Sequence, residues 1–128
     1  LDELGIGPAI DWQAKDFSER TGIECICDLP KVELVLNKEK STAVFRIYQE
    51  ALTNITRHSN ANKVFINLKE YKNVLILEIK DNGKGIDSEK LNQFGNGLKN
   101  MQRRMESIGG SFSISSNNGT TIQLEVPV

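Results

Sequence analysis

The stretch Asp81-Asn82-Gly83-Lys84-Gly85-Ile86 follows directly on the run Val74-Leu75-Ile76-Leu77-Glu78-Ile79-Lys80. This run is apolar and rich in β-branched residues, which predicts a β-strand. Side chains alternate between the two faces of a strand, so Asp81 shares a face with three aliphatic side chains of the run. A carboxylate at the rim of a core seeks a hydrogen-bond donor such as an exocyclic amine, and the glycines after it let a ligand approach the backbone. The stretch therefore predicts a ligand site, although by itself it fits a plain turn between two elements equally well.

The length and composition of the chain limit the classes of protein to which it can belong. The chain has 128 residues, of which 38% are hydrophobic and 26% charged, and its formal net charge is -1. This length predicts one domain over residues 1–128, large enough to bury about two-thirds of its chain surface. The near-neutral charge argues against a nucleic-acid-binding surface, and no apolar run approaches the ~18 residues of a membrane span. Because the chain begins at Leu1 rather than Met, we interpret it as a piece of a longer protein.

The two cysteines lie two residues apart in a strand predicted over residues 23–28. A pair of thiols without a second cluster of Cys or His is poor spacing for a metal site. We therefore predict that Cys25 and Cys27 are buried free thiols, which suits a reducing compartment.

Two amphipathic helices are predicted in the first half of the chain. The first has Pro8 in its first turn and ends at Gly22. The second is capped by Asn37 and carries the most regular apolar stripe of the sequence. Glu50 and Asn54 stand one turn apart on the flank of that stripe, where they either line a pocket or form a solvated polar edge. The stripe consists of Val44, Ile47, Tyr48, Ala51, Leu52 and Ile55.

Strands around a third helix are predicted in the second half. Residues 64–68 and 74–79 are predicted to form two antiparallel strands. The third helix is predicted over residues 98–108, after the glycines of Gly95-Asn96-Gly97, and Gly109-Gly110 stops it. Its inner side is formed by Leu98, Met101, Met105 and Ile108.

A hairpin with its turn at Asn117-Asn118-Gly119 is predicted to close the chain. Its inward-facing side chains are Phe112, Ile114, Ile122, Leu124 and Val126. Thr120 has the parity of Ile122, so it points into the core layer. Asp81 and Thr120 are therefore predicted on the same side of the sheet.

These polar groups together indicate a nucleotide site. The backbone N–H groups at a helix that begins near Gly95, Gly97 and Leu98 suit phosphates. The amide oxygen of Asn54 suits Mg²⁺, which prefers oxygen ligands and shares its shell with phosphates and water. Asp81 and Thr120 can bind a base, and the carboxylate of Glu50 can orient or deprotonate a nucleophile.

Four ordered motifs that cover the whole chain resemble those of a known superfamily. Glu50-Ala51-Leu52-Thr53-Asn54 with His58 resembles an N box, and the stretch from Asp81 to Ile86 resembles a first glycine box. Gly95-Asn96-Gly97-Leu98 and Gly119-Thr120-Thr121 are similar to a second glycine box and a terminal Gly-Thr strand. These motifs resemble the ATP-binding fold of gyrase, Hsp90, MutL and sensor histidine kinases, and the longer strings around them resemble the NarX/DesK-like kinases.

The resemblance implies a role for each matching residue. Asp81 would accept from the adenine amine, Thr120 would hold the ring through a water, and Asn54 would bind Mg²⁺. The phosphates would meet the segment from Gly95 to Leu98, and Arg57 and His58 would add positive charge near them. The first glycine box would contribute Gly83, Gly85 and Ile86, and residues 87–94 would form a short lid that moves in the free protein.

We therefore predict an α+β two-layer sandwich, with about three helices on one face of a mixed, mostly antiparallel sheet. Its predicted function is to bind ATP with Mg²⁺ and to donate the γ-phosphoryl group to a histidine on the dimerisation helices of a homodimeric parent kinase. The parent would act on a response regulator, and this chain would be a cytoplasmic monomer. His58 is the only histidine and is not the expected acceptor. The alternatives are an ATP hydrolase or protein serine kinase on the same fold, or a degenerate nucleotide-binding docking module.

Overall fold

The computed structural model describes residues 5–30, 36–58, 60–83, 96–116 and 119–128. In these residues the chain forms three α-helices and five β-strands. The first half contains α1 (Ile6–Thr21), β1 (Glu24–Asp28) and α2 (Lys38–His58). The second half contains β2 (Lys63–Tyr71), β3 (Val74–Asp81), α3 (Asn96–Glu106), β4 (Ser111–Ser116) and β5 (Thr120–Pro127).

The five strands form one mixed sheet in the order β1-β2-β3-β5-β4. Strand β1 runs parallel to β2, whereas the pairs β2–β3, β3–β5 and β4–β5 are antiparallel. One face of the sheet alternates into a core that the helices cover, as the buried residues of β3 and β5 show. This arrangement confirms the predicted α+β sandwich.

Helix α1 ends where the sequence predicts. Gly22 adopts a left-handed conformation with φ of 76°, and its N–H donates to the carbonyl of Ser18. The helix begins at Ile6, so Pro8 lies in its first turn, as predicted. Its inner face buries Ile10, Ala14 and Phe17.

Helix α2 crosses the core layer and is fixed at its first turn by a side-chain cap. The Asn37 Oδ1 atom accepts from the N–H of Lys40 at 2.8 Å, which confirms the predicted cap. All six residues of the predicted apolar stripe are buried. Within that stripe the Tyr48 hydroxyl donates to the carbonyl oxygen of Ile10 at 2.9 Å, which joins α2 to α1.

Strands β2 and β3 form a hairpin closed by Lys72 and Asn73. Both residues have positive φ values, 50° and 65°, as the two central residues of a tight hairpin turn require. On the core face of β3, Leu75, Leu77 and Ile79 are each at most 1% exposed. The alternation that the sequence indicates for β3 is therefore confirmed.

The third helix and the last hairpin differ from the prediction in two details. Helix α3 spans Asn96–Glu106, and Ile108 lies in the turn after it rather than in the helix, although its side chain remains buried. Phe112 and Ile114 are only partly buried, because β4 is an edge strand with a neighbour on one side alone. Residues 117–118 of the predicted turn lie outside the described residues.

The two cysteines are free, as predicted, but they are half-buried rather than buried. They lie on β1, the other edge of the sheet, where α1 covers the strand incompletely. Burial, reinforced by the neighbouring Cys27, raises the pKa of the Cys25 thiol to about 11. Burial likewise raises the pKa of Cys27. Both thiols are therefore protonated and weakly nucleophilic at neutral pH.

None of the helices in the described part of the chain is long and apolar enough to cross a membrane.

Candidate nucleotide-binding site

Asp81 is the last residue of β3 and lies on its core face, with an exposed fraction of 1%. Its Oδ1 atom accepts from the N–H of Gly83 at 2.8 Å, so the chain turns back onto the carboxylate directly after the strand. Its Oδ2 atom is fully buried and has no hydrogen-bond partner among the described residues. One oxygen of the carboxylate is thus held, and the other is left for a donor from outside.

Thr120 begins β5 and is 4% exposed. Its Oγ1 atom is also buried and lacks a partner in the part of the chain that the structure describes. Lys80 pairs with Thr121, so one step further along the antiparallel register brings Asp81 opposite Thr120. Side chains of opposite residues share a face, so both polar groups lie at the same end of the core face.

These two atoms define a ligand site because leaving them buried and unpaired is costly. An unsatisfied buried polar group costs about 1–3 kcal/mol, and more when it is charged. In the described residues they are the only buried side-chain nitrogen or oxygen atoms that lack a hydrogen-bond partner. An acceptor and a hydroxyl, side by side on an apolar floor, suit a flat heterocycle with an exocyclic amine.

The electrostatics of the site follow from this burial. Burial raises the pKa of the Asp81 carboxyl above its ordinary value of 3.8, and the backbone N–H groups of Gly83 and Thr120 act in the opposite direction. A ligand that donates a hydrogen bond to Oδ2 favours the ionised form, so binding and ionisation of Asp81 support each other.

Two hydrogen bonds, one from α2 and one from the segment after it, show how the helix runs across the sheet. Near its start, the Lys40 Nζ atom donates to the carbonyl of Pro127, at the end of β5 remote from Thr120. Beyond its last residue, the N–H of Asn62 donates to the side chain of Asn82, which follows Asp81. The second half of α2 therefore runs toward the Asp81 end of the sheet.

That half of α2 carries the predicted catalytic and metal residues. Asn54 is half-buried beside the buried residues Ala51 and Ile55, whereas Glu50, one turn earlier, is exposed. Asn54 therefore lies at the edge of the core near the site, and Glu50 faces solvent. Arg57 and His58 belong to α2, but their side chains lie outside the described residues.

A clustered metal site is absent from the described residues, in which no three His, Cys, Asp or Glu side chains come together. Mg²⁺ bound to a nucleotide does not need such a cluster, since phosphates and water supply most of its shell. The single half-buried amide of Asn54 fits that requirement.

The glycine boxes are described only in part. Helix α3 begins at Asn96, two residues before the predicted start at Leu98, so that Gly97 lies within its first turn. The C-terminal end of α3 lies beside the start of α2, where Arg104 and Ser107 line a groove with Lys38 and Thr42. The N-terminal end of α3 therefore extends away from the start of α2. The side chain of Leu98, together with Gly85, Ile86, Gly95 and the predicted lid over residues 87–94, lies outside the described residues.

Sequence reasoning missed one feature of the site, the close approach of Gly119 to Asp81. Gly119 has φ of 123°, and a Cβ atom placed on it would collide with the carbonyl oxygen of Asp81. The sequence shows only a glycine in a turn, since the pairing of β3 with β5 cannot be read from local pattern. The signal that could have indicated the contact is the Gly-Thr pair at the start of a predicted core strand.

The sequence places the chain in a known family. Residues 39–128 match the family of histidine kinase-, DNA gyrase B-, and HSP90-like ATPases. The chain belongs to this family.

Its sequence relatives are sensor histidine kinases. It is 47% identical over 131 residues to the sensor protein VraS of Staphylococcus aureus. It is 37% identical to the sensor histidine kinase MctS of Rhizobium johnstonii, and 35% identical to the signal transduction histidine-protein kinase/phosphatase DegS of Brevibacillus brevis. These alignments cover 99% to 100% of this chain and 28% to 37% of the relatives, so the chain spans about a third of their length.

Solved structures of histidine kinases share the fold. The histidine kinase domain of the blue-light activated kinase EL346 from Erythrobacter litoralis superimposes with a TM-score of 0.76 at 17% identity, over 96% of this chain and 61% of that one. The histidine kinase AdeS from Acinetobacter baumannii gives a TM-score of 0.75 at 17% identity, over 95% of this chain and 62% of that one. Together with the family match, these similarities identify the chain as an ATP-binding catalytic domain of the sensor histidine kinase type.

Proposed function

We propose that the chain binds ATP with Mg²⁺ at the Asp81 end of the sheet and donates the γ-phosphoryl group to a histidine of its parent kinase. The observation that carries this proposal is the buried, unpartnered pair of Asp81 Oδ2 and Thr120 Oγ1. The adenine amine would donate to Asp81, and Thr120 would hold the ring through a water. The glycines of the first box, Gly83 and Gly85, with Ile86, would line the base.

The phosphates would lie between α3 and the second half of α2. The backbone N–H groups at the start of α3, from Gly95 to Leu98, suit the negative charge. Arg57 and His58 would add positive charge there. Mg²⁺, held by Asn54 and the phosphates, would supply charge neutralisation on the transferred group.

The chemical step would be a transfer from oxygen to nitrogen. The bond between the γ-phosphorus and the bridging oxygen of ADP breaks, and a bond from the γ-phosphorus to an imidazole nitrogen of the acceptor forms. The carboxylate of Glu50, which is exposed, would orient that imidazole or take up the proton that it loses. Positioning and charge stabilisation account for most of such a transfer.

The acceptor would lie on the dimerisation helices of the parent, and a response regulator would receive the phosphoryl group from it. We propose that the parent is a homodimer, that residues 1–128 form one domain of it, and that this domain is monomeric by itself and cytoplasmic. The named relatives, which are sensor histidine kinases about three times as long as the chain, support this view.

Labelling with ATP that carries radioactive γ-phosphate tests the proposal. We expect the chain alone to bind ATP, to label itself negligibly and to hydrolyse ATP slowly. Addition of the parent's dimerisation helices should give label that is lost in acid, as phosphohistidine is. Glu50→Gln should lower this labelling more than it lowers ATP affinity, whereas Glu70→Gln, an exposed control at the far end of β2, should change neither.

The same assay separates the alternatives. A protein serine kinase would give acid-stable label on a separate protein, and a hydrolase would turn over ATP repeatedly with no acceptor present. A degenerate docking module would bind nucleotide and transfer nothing under any of these conditions. Each of these results would contradict the histidine-kinase proposal and leave only the fold.

A further inference from the structure

Asn82, the residue after Asp81, closes the end of β3 with its side chain. Its Oδ1 atom accepts from the backbone N–H groups of Asn62 and Lys63, each at 3.0 Å. Its Nδ2 atom donates to the Asn62 Oδ1 atom at 2.6 Å, and its own N–H donates to the carbonyl of Lys63 at 3.2 Å. The orientation of the amide is determined, because both backbone partners of Oδ1 are donors. We call this set of four hydrogen bonds the asparagine clasp.

The clasp takes over where the β2–β3 ladder ends. Val64 pairs with Asp81, and this is the last pair of the ladder at that end. The N–H of Asn82 still donates to β2, but at Gly83 the chain turns back to donate to the Asp81 carboxylate, so the backbone leaves the sheet at Asn82. The Asn82 side chain therefore bonds to the backbone of β2 at the point where the next rung of the ladder would stand.

The backbone of Asp81 is consequently held from both neighbouring strands. On the β2 side the asparagine clasp fixes Asn82, the next residue. On the β5 side Gly119 packs so closely against the Asp81 carbonyl that a Cβ atom on Gly119 would overlap the carbonyl oxygen. The direction of the Oδ2 atom depends on this backbone, since a short side chain has little freedom to correct an error. The clasp thus acts on the position of the atom that meets the adenine.

The clasp also joins three segments of the chain. The carbonyl of Asn62 accepts from the N–H of Glu24, at the start of β1, at 3.0 Å. Residues 60–62 follow α2, which carries Asn54 and Glu50. One residue pair thus links the end of α2, the start of β1 and the residue after Asp81.

We infer that Asn82 is a positioning residue of the nucleotide site, which sets the aim of Asp81 through Asn62 and Lys63 and so contributes to selection of the adenine base. This inference rests on the proposed adenine-binding role of Asp81. It assigns to Asn82 no contact with the nucleotide.

Two substitutions separate this role from a general contribution to stability. Asn82→Ala removes the three side-chain hydrogen bonds. Asn62→Ala removes only the side-chain bond at 2.6 Å and retains both backbone bonds to Asn82. A misaimed Asp81 loses binding to adenine more than to guanine, whereas a protein that is merely less stable loses both alike.

The test is a titration of the 128-residue chain and its variants with ATP and with GTP, at a temperature at which circular dichroism shows each variant folded. Asn82→Ala removes three hydrogen bonds that position Asp81 only indirectly, so we expect it to weaken ATP binding by about three- to tenfold. Binding of GTP should change by less than about twofold, so that the preference for ATP falls. The affinities of Asn62→Ala for both nucleotides should stay within about twofold of those of the wild type. The double variant should have the same affinities as Asn82→Ala, because the two residues act as one unit.

An unchanged ATP affinity of Asn82→Ala would overturn the inference, as would an equal loss for ATP and GTP. If Asn82→Ala does not fold, Asn82→Asp decides the matter. This variant retains an oxygen for both backbone N–H groups, so it should keep the preference for ATP. Loss of that preference in Asn82→Asp would also overturn the inference. Failure of the wild type to prefer ATP over GTP would instead contradict the proposed role of Asp81 itself.

Discussion

The backbone of Gly119 lies against the carbonyl group of Asp81, so closely that a Cβ atom on Gly119 would overlap the carbonyl oxygen. Gly119 precedes Thr120, and the contact brings the start of β5 to the end of β3. The glycine therefore serves the site in two ways. It provides a φ of 123° that other residues rarely adopt, and it lets Asp81 and Thr120 stand side by side.

Substitution of this glycine should disrupt the site. Gly119→Ala is expected to lower the free energy of unfolding by about 1–3 kcal/mol, because of the strained φ and the collision, and to weaken ADP binding by at least about tenfold. Gly7→Ala in α1 is the matched control, since its Cβ would meet nothing within 4 Å. That control should be neutral or stabilising by up to about 1 kcal/mol and should bind ADP normally. Chemical denaturation and ADP titration check both; equal behaviour of the two variants would contradict the role of Gly119.

The raised pKa of Asp81 predicts that nucleotide affinity depends on pH. Below its raised pKa the Asp81 carboxyl is protonated and is a weaker acceptor. ADP affinity should therefore fall as the pH is lowered toward 3.8, the ordinary pKa of the carboxyl. The stability of the ligand-free protein should depend on pH in the opposite direction. The folded pKa is raised, so the contribution of Asp81 to stability is full below the unfolded pKa and is lost as the pH rises through the folded one. ADP titrations of the wild type and of Asp81→Asn across this range test the assignment, and the same pH profile in both would exclude Asp81 as its source.

Asn54 should matter only when the metal is present. Asn54→Ala is expected to bind ADP without Mg²⁺ within about twofold of the wild type, because the base contacts are untouched, and to lose the gain that Mg²⁺ provides. Thr53→Ala, on the exposed side of the same turn, is the control and should retain that gain. Titrations with ADP in EDTA and in excess Mg²⁺ measure the difference. A full Mg²⁺ effect in Asn54→Ala would exclude Asn54 as the ligand.

The hydrogen bond from Tyr48 to Ile10 should contribute to stability and not to nucleotide binding. Tyr48→Phe removes a buried hydroxyl whose bond is 2.9 Å long, so the free energy of unfolding should fall by about 0.5–1.5 kcal/mol. Tyr71→Phe is the control, since Tyr71 is 61% exposed, and it should change nothing. Thermal or urea unfolding makes the comparison. Equal free energies of unfolding for Tyr48→Phe and Tyr71→Phe would show that the hydrogen bond makes no net contribution to stability.

Local pattern predicted the parts of the site that depend on one segment at a time. The period of two in β3 and β5 assigned Asp81 and Thr120 to the core face, and both are buried there. The period of α2 predicted its buried stripe, and the cap at Asn37 followed from residue type. Such features depend on backbone geometry that each segment carries with it.

Features that depend on pairing between distant segments could not be predicted in this way. The insertion of β5 between β3 and β4, and hence the contact of Gly119 with Asp81, requires a sheet order that no local period encodes. The half-burial of Cys25 and Cys27 has the same origin, since it follows from the position of β1 at the edge. The asparagine clasp likewise joins residues twenty positions apart.

The most direct test of the site is a calorimetric titration of the wild type and Asp81→Asn with ATP and GTP. Asp81→Asn keeps the shape of the side chain but replaces one acceptor oxygen with a donor group. Since a hydrogen bond to a charged group is worth roughly 1.5–3 kcal/mol, ATP affinity should fall by about 10- to 100-fold. The wild type should prefer ATP, because guanine presents a carbonyl oxygen where Asp81 needs a donor. Equal affinity of the wild type for ATP and GTP, or an unchanged affinity of Asp81→Asn for ATP, would contradict the assignment of Asp81 as the adenine-binding residue.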